Sequence, residues 1–355
     1  MFPYYLLIGL PLLLSIFSYK VNDKRVSERF PLFVFFLILL VLLSLRSIEC
    51  GADLQTYKNK FESINISSVK SVLNFSSIEF GYNFFVAINK LIFNNFQFLL
   101  FSCAVLSIVP IMVFYLRETK HNILTIALFV SIAPFSMFFS GLRQSIAMGI
   151  GIISYNYCKK NKIIIFLFMV FLAFLFHQSS IILLLMYPLT HVKITRKWVF
   201  PIIVLYILCF VYNKQIFEIL LGLNEKYETR YVISETGSYT FLIMLLAITI
   251  FSLVIMKEDS NELLGLRNLL ILSLFIQSFV PVNTVAMRLN YYYLLFIPVL
   301  IPNVIDNCKE RYKQVAQLST VVFSVFFIFW FFKEAYTGVD YLSTFPYVAF
   351  WESTI

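Results

Sequence analysis

Charged residues are scarce in this chain, and their scarcity excludes most soluble protein classes. Only 13% of the 355 residues are charged, whereas 60% are hydrophobic. A soluble globular domain carries about a quarter of its residues as charges. The composition is instead typical of an integral membrane protein, and it predicts an all-α polytopic fold.

Motifs for metals, nucleotides and disulfides are also missing. The sequence contains no D-x-D, H-E-x-x-H, P-loop or C-x-x-C. Its five cysteines show no paired spacing, and only Cys50 falls in a predicted outer loop, which excludes an outer-face disulfide. We therefore expect neither a metal nor a cofactor. The formal charge of +9 does not indicate a nucleic-acid partner, because the chain has no soluble basic face.

Apolar runs predict about 12 transmembrane or re-entrant helices within one membrane domain, 1–355. Two larger outer loops, 47–95 and 214–238, interrupt the runs. The N-terminal run lacks a basic n-region and an A-x-A-like site, which indicates a first membrane helix rather than a cleaved signal. The candidate spans are 2–19, 30–46, 96–116, 122–139, 142–158, 163–176, 178–190, 198–213, 239–256, 267–283, 289–303 and 317–333.

Loops rich in Lys and Arg give the predicted orientation, because such loops stay cytoplasmic. Both termini then lie outside. The segment 163–190 has cations at both ends, which predicts a steep or re-entrant hairpin with His177 at its outer tip. One tilted helix is the alternative, and it would invert the topology downstream. The basic loops are 20–29, 117–120, 159–162, 193–197, 257–267 and 309–313.

A first polar cluster follows the second predicted span. If that helix continues, Arg46, Asp53 and Tyr57 share one helical face. If Gly51 breaks it instead, a turn forms there. An interfacial Arg and Tyr at a helix end are also common without any function. Farther on, Glu79 precedes a predicted interfacial helix whose apolar stripe contains Phe80, Phe84, Ile88, Leu91 and Ile92.

A second cluster begins the span 142–158 with Arg143 and Gln144. An Arg in the first turn opposes the helix dipole, and a bound anion would resolve the conflict. An Arg that snorkels to lipid headgroups is the alternative. Small residues four apart predict close packing by a neighbouring helix. They are Ser145 with Gly149 and Ala147 with Gly151.

Two more clusters complete the set at the predicted outer surface. His177 lies between two strongly apolar arms, where an ionisable group tends to be functional. Arg288 precedes three tyrosines, 291–293, which suit an aromatic belt or a sugar-stacking surface, with Tyr292 as a candidate contact. A transporter is expected to hold such groups at mid-bilayer depth. An enzyme that acts on a charged, membrane-held substrate is expected to hold them at one surface.

At these clusters the sequence resembles the EpsG and Wzy-type polymerases of bacterial surface polysaccharides. The resemblance covers about 40–300 and departs from the family at Ala52, where Thr or Tyr is common. It is carried by R-x6-D-x3-Y from Arg46, E-x-G from Glu79, L-R-Q-S-I-A from Leu142, F-H-Q-S-S from Phe176 and M-R-L-N-Y-Y-Y from Met287.

The resemblance implies a GT-C-like membrane glycosyltransferase of the bacterial inner membrane, with its active site facing the periplasm. Such enzymes move a growing glycan from undecaprenyl diphosphate onto a lipid-linked repeat unit. Membrane lipid and a chain-length regulator protein are further expected partners. We expect Asp53 to be the catalytic base, with His177 as the alternative. The expected substrate-binding residues are Arg46, Tyr57, Glu79, Arg143, Gln144, Arg288 and Tyr292.

Three other classes stay open on the sequence. A lipid-linked oligosaccharide flippase should show repeats and mid-membrane polar groups. An O-antigen ligase should carry one large charged outer loop. A membrane acyltransferase would use His177 as its base.

Overall fold

The computed structural model describes residues 1–18, 24–64, 79–119, 121–132, 134–222, 239–338 and 340–352. Across these residues the fold is helical, and the only β-type pairings are two isolated bridges, Arg46 with Ala349 and Met256 with Cys308. The predicted all-α class is therefore confirmed. Parts of the predicted loops 20–29, 47–95 and 214–238 lie outside the described residues.

Seventeen α-helices follow one another through the described chain. They are α1 (Phe2–Ser18), α2 (Lys24–Leu45), α3 (Leu54–Ser63), α4 (Phe80–Ile92), α5 (Phe96–Glu118), α6 (Asn122–Ser131), α7 (Phe135–Ser140), α8 (Leu142–Lys159), α9 (Ile163–Phe176), α10 (Met186–His191), α11 (Val199–Val211), α12 (Asn213–Gly222), α13 (Thr240–Ile255), α14 (Asn261–Gln277), α15 (Val285–Leu294), α16 (Ile297–Asp306) and α17 (Lys313–Thr337). Short 3₁₀ helices lie at Gln178–Leu185, Arg196–Trp198 and Glu310–Tyr312.

Helices long and apolar enough to cross a bilayer are fewer than the twelve predicted spans. Within the described residues they are Phe96–Glu118 and Glu310–Thr337, or up to four if two bent pairs each form one span. Five further apolar helices have 10–17 residues. These helices and the apolar composition indicate a membrane protein, while the count of twelve stays a prediction. The bent pairs are Arg196–Val211 with Asn213–Ile219, at 74°, and Val285–Leu294 with Ile297–Asp306, at 42°.

One predicted span is broken where the sequence contains proline. The run 122–139 forms α6 and α7 instead of one helix, and Pro134 is the residue that precedes α7. A proline has no backbone N–H and cannot continue a helix regularly from the preceding turn. The prediction that 122–139 forms one continuous helix is therefore wrong.

The chain divides into two compact units, Met1–Leu183 with Thr320–Ile355, and Leu184–Ser319. The prediction of a single membrane domain stays a prediction. At the predicted hairpin tip, α9 ends at Phe176 and His177 has an extended backbone, with φ −154° and ψ 121°. The second arm passes from the first unit into the second, so the hairpin also stays a prediction.

In the first unit, α8 and α9 form an antiparallel pair, with α8 also packed against α5. A tight turn joins the pair, in which Asn161 has φ 55° and Lys162 N donates to the Tyr157 carbonyl at 3.0 Å. Arg143 and Lys159 lie at opposite ends of α8, about 24 Å apart at 1.5 Å per residue. At the lysine end, Lys159 pairs with Glu118 of α5 at 2.8 Å.

The small residues of α8 allow the close packing that the sequence predicted. A Cβ on Gly149 would lie 2.4 Å from the Leu106 carbonyl oxygen and 3.0 Å from the Ser107 Cα. Both contacts are backbone atoms of α5, so they cannot move aside as a flexible side chain could. The α5 and α8 backbones therefore meet at Gly149.

We expect Gly149→Ala to lower the unfolding temperature of the purified protein in detergent. The added methyl group must push α5 away from α8, and overpacking of this kind costs about 1–3 kcal/mol. Gly9→Ala in α1 is the matched control, because a Cβ there meets nothing within 4 Å. Helix propensity alone favours alanine over glycine by about 1 kcal/mol. Equal unfolding temperatures for the two variants would contradict the packing argument.

The C-terminal residues cover the segment that follows α2. Ser47 N donates to the Val348 carbonyl at 2.9 Å, and Ala52 N donates to the Leu342 carbonyl at 3.0 Å. Phe350 N completes the pairing with a bond to the Leu45 carbonyl at 2.9 Å. The chain end thus holds the turn that leads from α2 into α3.

In the second unit, α14 packs against α10 and α15. A buried polar chain joins α14 to α15. Ser273 donates to Asn290 Oδ1 at 2.6 Å, and Asn290 donates to Gln277 Oε1 at 2.8 Å. These groups fall in the predicted spans 267–283 and 289–303. Their mutual bonds are typical of packing between membrane helices.

Candidate functional site

Glu79 is the centre of a charged cluster in the first unit. Its Oε2 accepts a hydrogen bond from Arg143 Nη1, and its Oε1 lies 2.6 Å from His177 Nδ1. The side chains of Glu79 and His177 are 8% and 14% exposed, whereas that of Arg143 is 37% exposed. One buried carboxylate therefore orients both a guanidinium and an imidazole, and the guanidinium remains accessible.

Tyr57 holds the other side of Arg143. Arg143 Nε donates to the Tyr57 hydroxyl at 3.2 Å, and the guanidinium carbon lies 5.5 Å from the Tyr57 ring centre. The second terminal nitrogen, Nη2, has no hydrogen-bond partner among the residues that the structure describes. Arg143 is thus fixed at two nitrogens and free to bind a ligand at the third.

The helix ends explain how these residues meet. Arg143 is the second residue of α8 and His177 directly follows α9, so both lie at the same end of the antiparallel pair. Glu79 directly precedes α4, whose first turn approaches the end of α9 closely at Gly81. A Cβ on Gly81 would lie 2.8 Å from the Leu175 Cβ and 2.9 Å from the Leu175 carbonyl oxygen. Glycine at this position therefore permits the contact between Glu79 and His177.

A lysine fixes α3 to α4. Lys90 Nζ donates to three carbonyls at the end of α3, those of Phe61 at 2.7 Å, Glu62 at 3.0 Å and Ile64 at 2.9 Å. A cation suits a helix C-terminus because the dipole places negative potential there. Lys90 thereby positions Tyr57 on α3 relative to Glu79 at the start of α4.

The first sequence cluster does not form one continuous helix. The chain turns at Gly51, where φ is +149° and a Cβ would lie 2.2 Å from the Phe139 carbonyl oxygen. The alternative in which Gly51 breaks the helix is therefore confirmed, and the shared helical face from Arg46 to Tyr57 is wrong. Asp53 precedes α3 by one residue, and its backbone N–H bonds Ser140 Oγ at 3.2 Å.

Arg46 is buried, with 1% of its surface exposed. Its guanidinium donates to the Leu43 and Phe138 carbonyls and lies 5.7 Å from the Phe139 ring centre. These contacts favour a structural role, in which Arg46 holds the end of α2 against α7. Its predicted role in substrate binding stays a prediction.

The remaining predicted residues lie outside the Glu79 cluster. Gln144 is buried in α8. Arg288 is exposed on α15 in the second unit, and Tyr292 on the same helix is 2% exposed. That burial favours packing over sugar stacking for Tyr292. Substrate binding by these three residues stays a prediction.

The helix predicted after Glu79 is present as α4, while its place at the membrane interface stays a prediction. Its opposite face is buried through Tyr82, Asn83, Val86, Ala87 and Asn89. The apolar stripe is exposed, which confirms its predicted arrangement. The exposed members are Phe84 at 44%, Ile88 at 39%, Leu91 at 64% and Ile92 at 60%.

The surroundings of Glu79 keep it ionised. Burial raises the pKa of its carboxyl, but the hydrogen bond from His177 and the charge of Arg143 outweigh burial and hold that pKa below its usual value. For Tyr57, burial raises the pKa more than Arg143 lowers it, so the phenol stays neutral. The cluster therefore holds a carboxylate and a neutral phenol on either side of Arg143.

The depressed pKa of Glu79 predicts a specific dependence of stability on pH. A carboxylate with a lowered pKa stabilises the fold fully above the unfolded pKa, about 4.3 for Glu. That stabilisation is lost as pH falls through the folded pKa. We therefore expect Glu79→Gln to lower the unfolding temperature at pH 7, with the difference from wild type holding down to about pH 4.3 and shrinking below it. Thermal unfolding in detergent at several pH values measures it, and a constant difference would contradict the ion-pair account.

A polar and aromatic cleft of about 510 Å³ opens beside α3 in the same unit. Its size suits a small ligand, for which pockets of about 300–1,000 Å³ are usual. The cleft is lined by Ser47, Ile48, Lys58, Phe61, Glu62, Asn94, Asn95, Phe96, Gln97 and Phe350. Amide, hydroxyl and aromatic groups of this kind bind sugars through hydrogen bonds and ring contacts.

Comparison with known protein families gives a match over most of the chain. A family model described as the EpsG family matches residues 29–349, which is most of the chain. No curated protein matches the chain, and no solved structure matches it. The match spans the five motifs on which the sequence resemblance rests.

Proposed function

Because the chain belongs to the EpsG family, we propose that it is a metal-independent membrane polysaccharide polymerase. In this proposal it transfers a growing glycan from undecaprenyl diphosphate onto a lipid-linked oligosaccharide repeat unit. The family indicates a polymerase-type function. The observation that carries the finer proposal is the Glu79 cluster, in which one buried carboxylate orients an exposed Arg and a His.

Arg143 is the proposed binding residue for the diphosphate of the donor. It is 37% exposed and has one terminal nitrogen free of bonds to the described chain. Arg suits phosphate because its planar N–H groups match two phosphate oxygens. Glu79 and Tyr57 fix the guanidinium in advance, which reduces the entropy lost on binding.

His177 is the proposed base, in preference to Asp53. A carboxylate bound to Nδ1 holds the imidazole in the tautomer whose Nε2 accepts a proton, and it stabilises the cation that then forms. Nε2 has no partner among the residues that the structure describes. In the proposed step, an acceptor hydroxyl forms a bond to the anomeric carbon and its proton passes to Nε2. The bond from that carbon to the diphosphate oxygen breaks, and Arg143 binds the departing diphosphate.

The cleft beside α3 is the proposed site for part of a glycan. It lies on the same helix as Tyr57, and Phe61 and Phe96 in its wall pack edge to face with ring centres 5.9 Å apart. Most of its wall residues come from the predicted outer loop 47–95. In line with the family resemblance, the proposed location is the bacterial inner membrane, with the site facing the periplasm and a chain-length regulator as a further partner.

The competing assignment of the base to Asp53 is testable by a single substitution. We expect Asp53→Asn to retain most of the polymerisation rate, because Asp53 is exposed and lies outside the Glu79 cluster. The amide keeps the shape of the side chain and removes its basicity. Polymer length and rate are measured on gels of lipid-linked glycan. Loss of polymer in a stably inserted Asp53→Asn protein would return the role of base to Asp53.

Disruption of the encoding gene tests the proposed function in cells. We expect polymer to disappear while single repeat units still reach the outer surface on their carrier. Wild-type protein supplied in trans should restore the polymer. Accumulation of repeat units on the cytoplasmic side would instead indicate a flippase.

A further inference from the structure

Lys60 lies close to the Glu79 cluster although no sequence motif includes it. It follows Tyr57 by three residues on α3, so the two side chains are neighbours on the helix surface. Lys60 Nζ lies 5.9 Å from the Tyr82 ring centre, and the Tyr82 and Tyr57 ring centres are 5.6 Å apart. Arg143 in turn lies over Tyr57. The two tyrosine rings therefore link Lys60 to Arg143.

In the part of the chain that the structure describes, no carboxylate pairs with Lys60 to balance its charge. Among the described residues, no carboxylate oxygen lies within 4.0 Å of its Nζ. The adjoining segment 65–78 contains no Asp or Glu, so that segment cannot supply one. The side chain is half-buried. A half-buried ammonium group without an anion beside it is costly, and a bound anion would offset the cost.

The charges near Lys60 also favour a bound anion. Burial lowers the pKa of Lys60, the positive charge of Arg143 lowers it further, and Glu79 raises it. Lys60 and Arg143 are thus near enough to repel each other. The Glu79 carboxylate acts on the charge of both cations, and it already pairs with Arg143 and His177. The cluster therefore carries an excess of positive charge.

We infer that Lys60 and Arg143 form one binding site for a phosphate-bearing group. The choice of ligand rests on the proposed function, in which the donor carries a diphosphate. Arg143 supplies a fixed planar set of N–H groups, and Lys60 supplies a mobile point charge on a flexible stem. The two cations together suit a diphosphate better than a single negative charge. A phospholipid headgroup offers the same phosphate chemistry, and the experiment below separates the two sources.

The first test measures the affinity of the purified full chain for inorganic pyrophosphate by titration calorimetry. We expect Lys60→Gln to raise Kd about tenfold, which corresponds to about 1.4 kcal/mol. Lys60→Arg should stay near wild type because it keeps the charge. Lys160→Gln is the matched control, since Lys160 is exposed and follows α8 at the end opposite to Arg143. An unchanged Kd for Lys60→Gln, or an equal loss for Lys160→Gln, would overturn the inference.

A second test uses the wild-type protein, so it does not depend on the folding of a variant. Lysines are acylated in nanodiscs of phosphatidylcholine, with or without pyrophosphate, and the extent is read by mass spectrometry. We expect pyrophosphate to protect Lys60 and to leave Lys160 reactive. A third arm uses nanodiscs that contain phosphatidylglycerol and no pyrophosphate. Protection of Lys60 in that arm alone identifies a lipid headgroup as the ligand. Lys60 that is equally reactive in every arm would overturn the inference.

Failure of this inference is distinguishable from failure of the proposed function, because binding is measured without any sugar. If the chain binds pyrophosphate through Lys60 but forms no polymer, the anion site is supported and the polymerase function is refuted. If the chain polymerises normally and Lys60→Gln has the same pyrophosphate affinity as wild type, the polymerase function is supported and the role of Lys60 is refuted.

Discussion

Arg143→Ala is expected to lower the polymerisation rate about 100-fold, because it removes about 3 kcal/mol of charge-assisted hydrogen bonding to the diphosphate. Arg143→Lys should recover part of the rate, since it keeps the charge but loses the planar N–H geometry. The rate is measured on lipid-linked repeat units with protein at matched concentration. Full activity in Arg143→Ala at a normal membrane level would reduce this residue to an interfacial anchor.

Controls for Arg143 must account for its partner. Alanine leaves the buried Glu79 carboxylate without its guanidinium. Because Arg143 is 37% exposed, the destabilisation should be smaller than that of breaking a fully buried pair, which is about 3–5 kcal/mol. The double variant Glu79→Gln with Arg143→Ala removes both charges and should fold better than Arg143→Ala alone. Arg117→Ala is the matched surface control, because Arg117 is exposed in the last turn of α5 and lies outside the Glu79 cluster. Its polymer should match wild type.

His177→Ala is expected to lower the rate by about 10²–10⁴-fold, the usual contribution of a general base. Glu79→Gln should cause a smaller loss, because the imidazole remains but loses the carboxylate that orients it. His191→Ala is the matched control, since His191 is exposed and lies in the other unit. The polymerisation rate of His191→Ala should match that of wild type.

Chemical rescue separates a base from a packing residue. Removal of the His177 side chain leaves space beside Glu79, and added imidazole can occupy it and accept the proton. We expect imidazole to restore part of the rate of His177→Ala and none of the rate of Arg143→Ala. A wild-type polymer ladder from His177→Ala without rescue would assign His177 a packing role.

The sequence predicted most helices because their signals are local. Long apolar runs place α1, α5, α8 and α9 within a few residues of their observed bounds. At Pro134, between α6 and α7, a single residue breaks the predicted span 122–139. Whether each helix crosses the bilayer also depends on how it packs against its neighbours, and local hydropathy carries no information about that packing.

The sequence identified the members of the cluster but could not pair them. Glu79 lies 64 residues before Arg143 and 98 residues before His177, and no local spacing rule reaches that far. The dipole conflict at Arg143 predicted a bound anion. In the structure the Glu79 carboxylate pairs with Arg143, and binding of a ligand anion stays a prediction. The roles of Lys60 and Lys90 were missed, because a lone cation in an outer loop has no distinguishing signal before its neighbours are known.

The Glu79 cluster also changes how the first motif is interpreted. R-x6-D-x3-Y suggested one face that carries Arg46, Asp53 and Tyr57 together. The turn at Gly51 separates them, and only Tyr57 reaches the cluster through a direct hydrogen bond. The regular spacing of the motif thus reflects a buried anchor, a turn and one site residue rather than a single catalytic surface.

In the proposed function, the Glu79 cluster catalyses glycan transfer between two lipid-linked repeat units. The purified chain in proteoliposomes, supplied with a single undecaprenyl-diphosphate-linked repeat unit on the outer face, tests it most directly. We expect lipid-linked dimers and longer products, with one undecaprenyl diphosphate released per bond formed, and neither in Arg143→Ala. Repeat units that cross the bilayer without any dimer or released undecaprenyl diphosphate would contradict the account and identify a transporter.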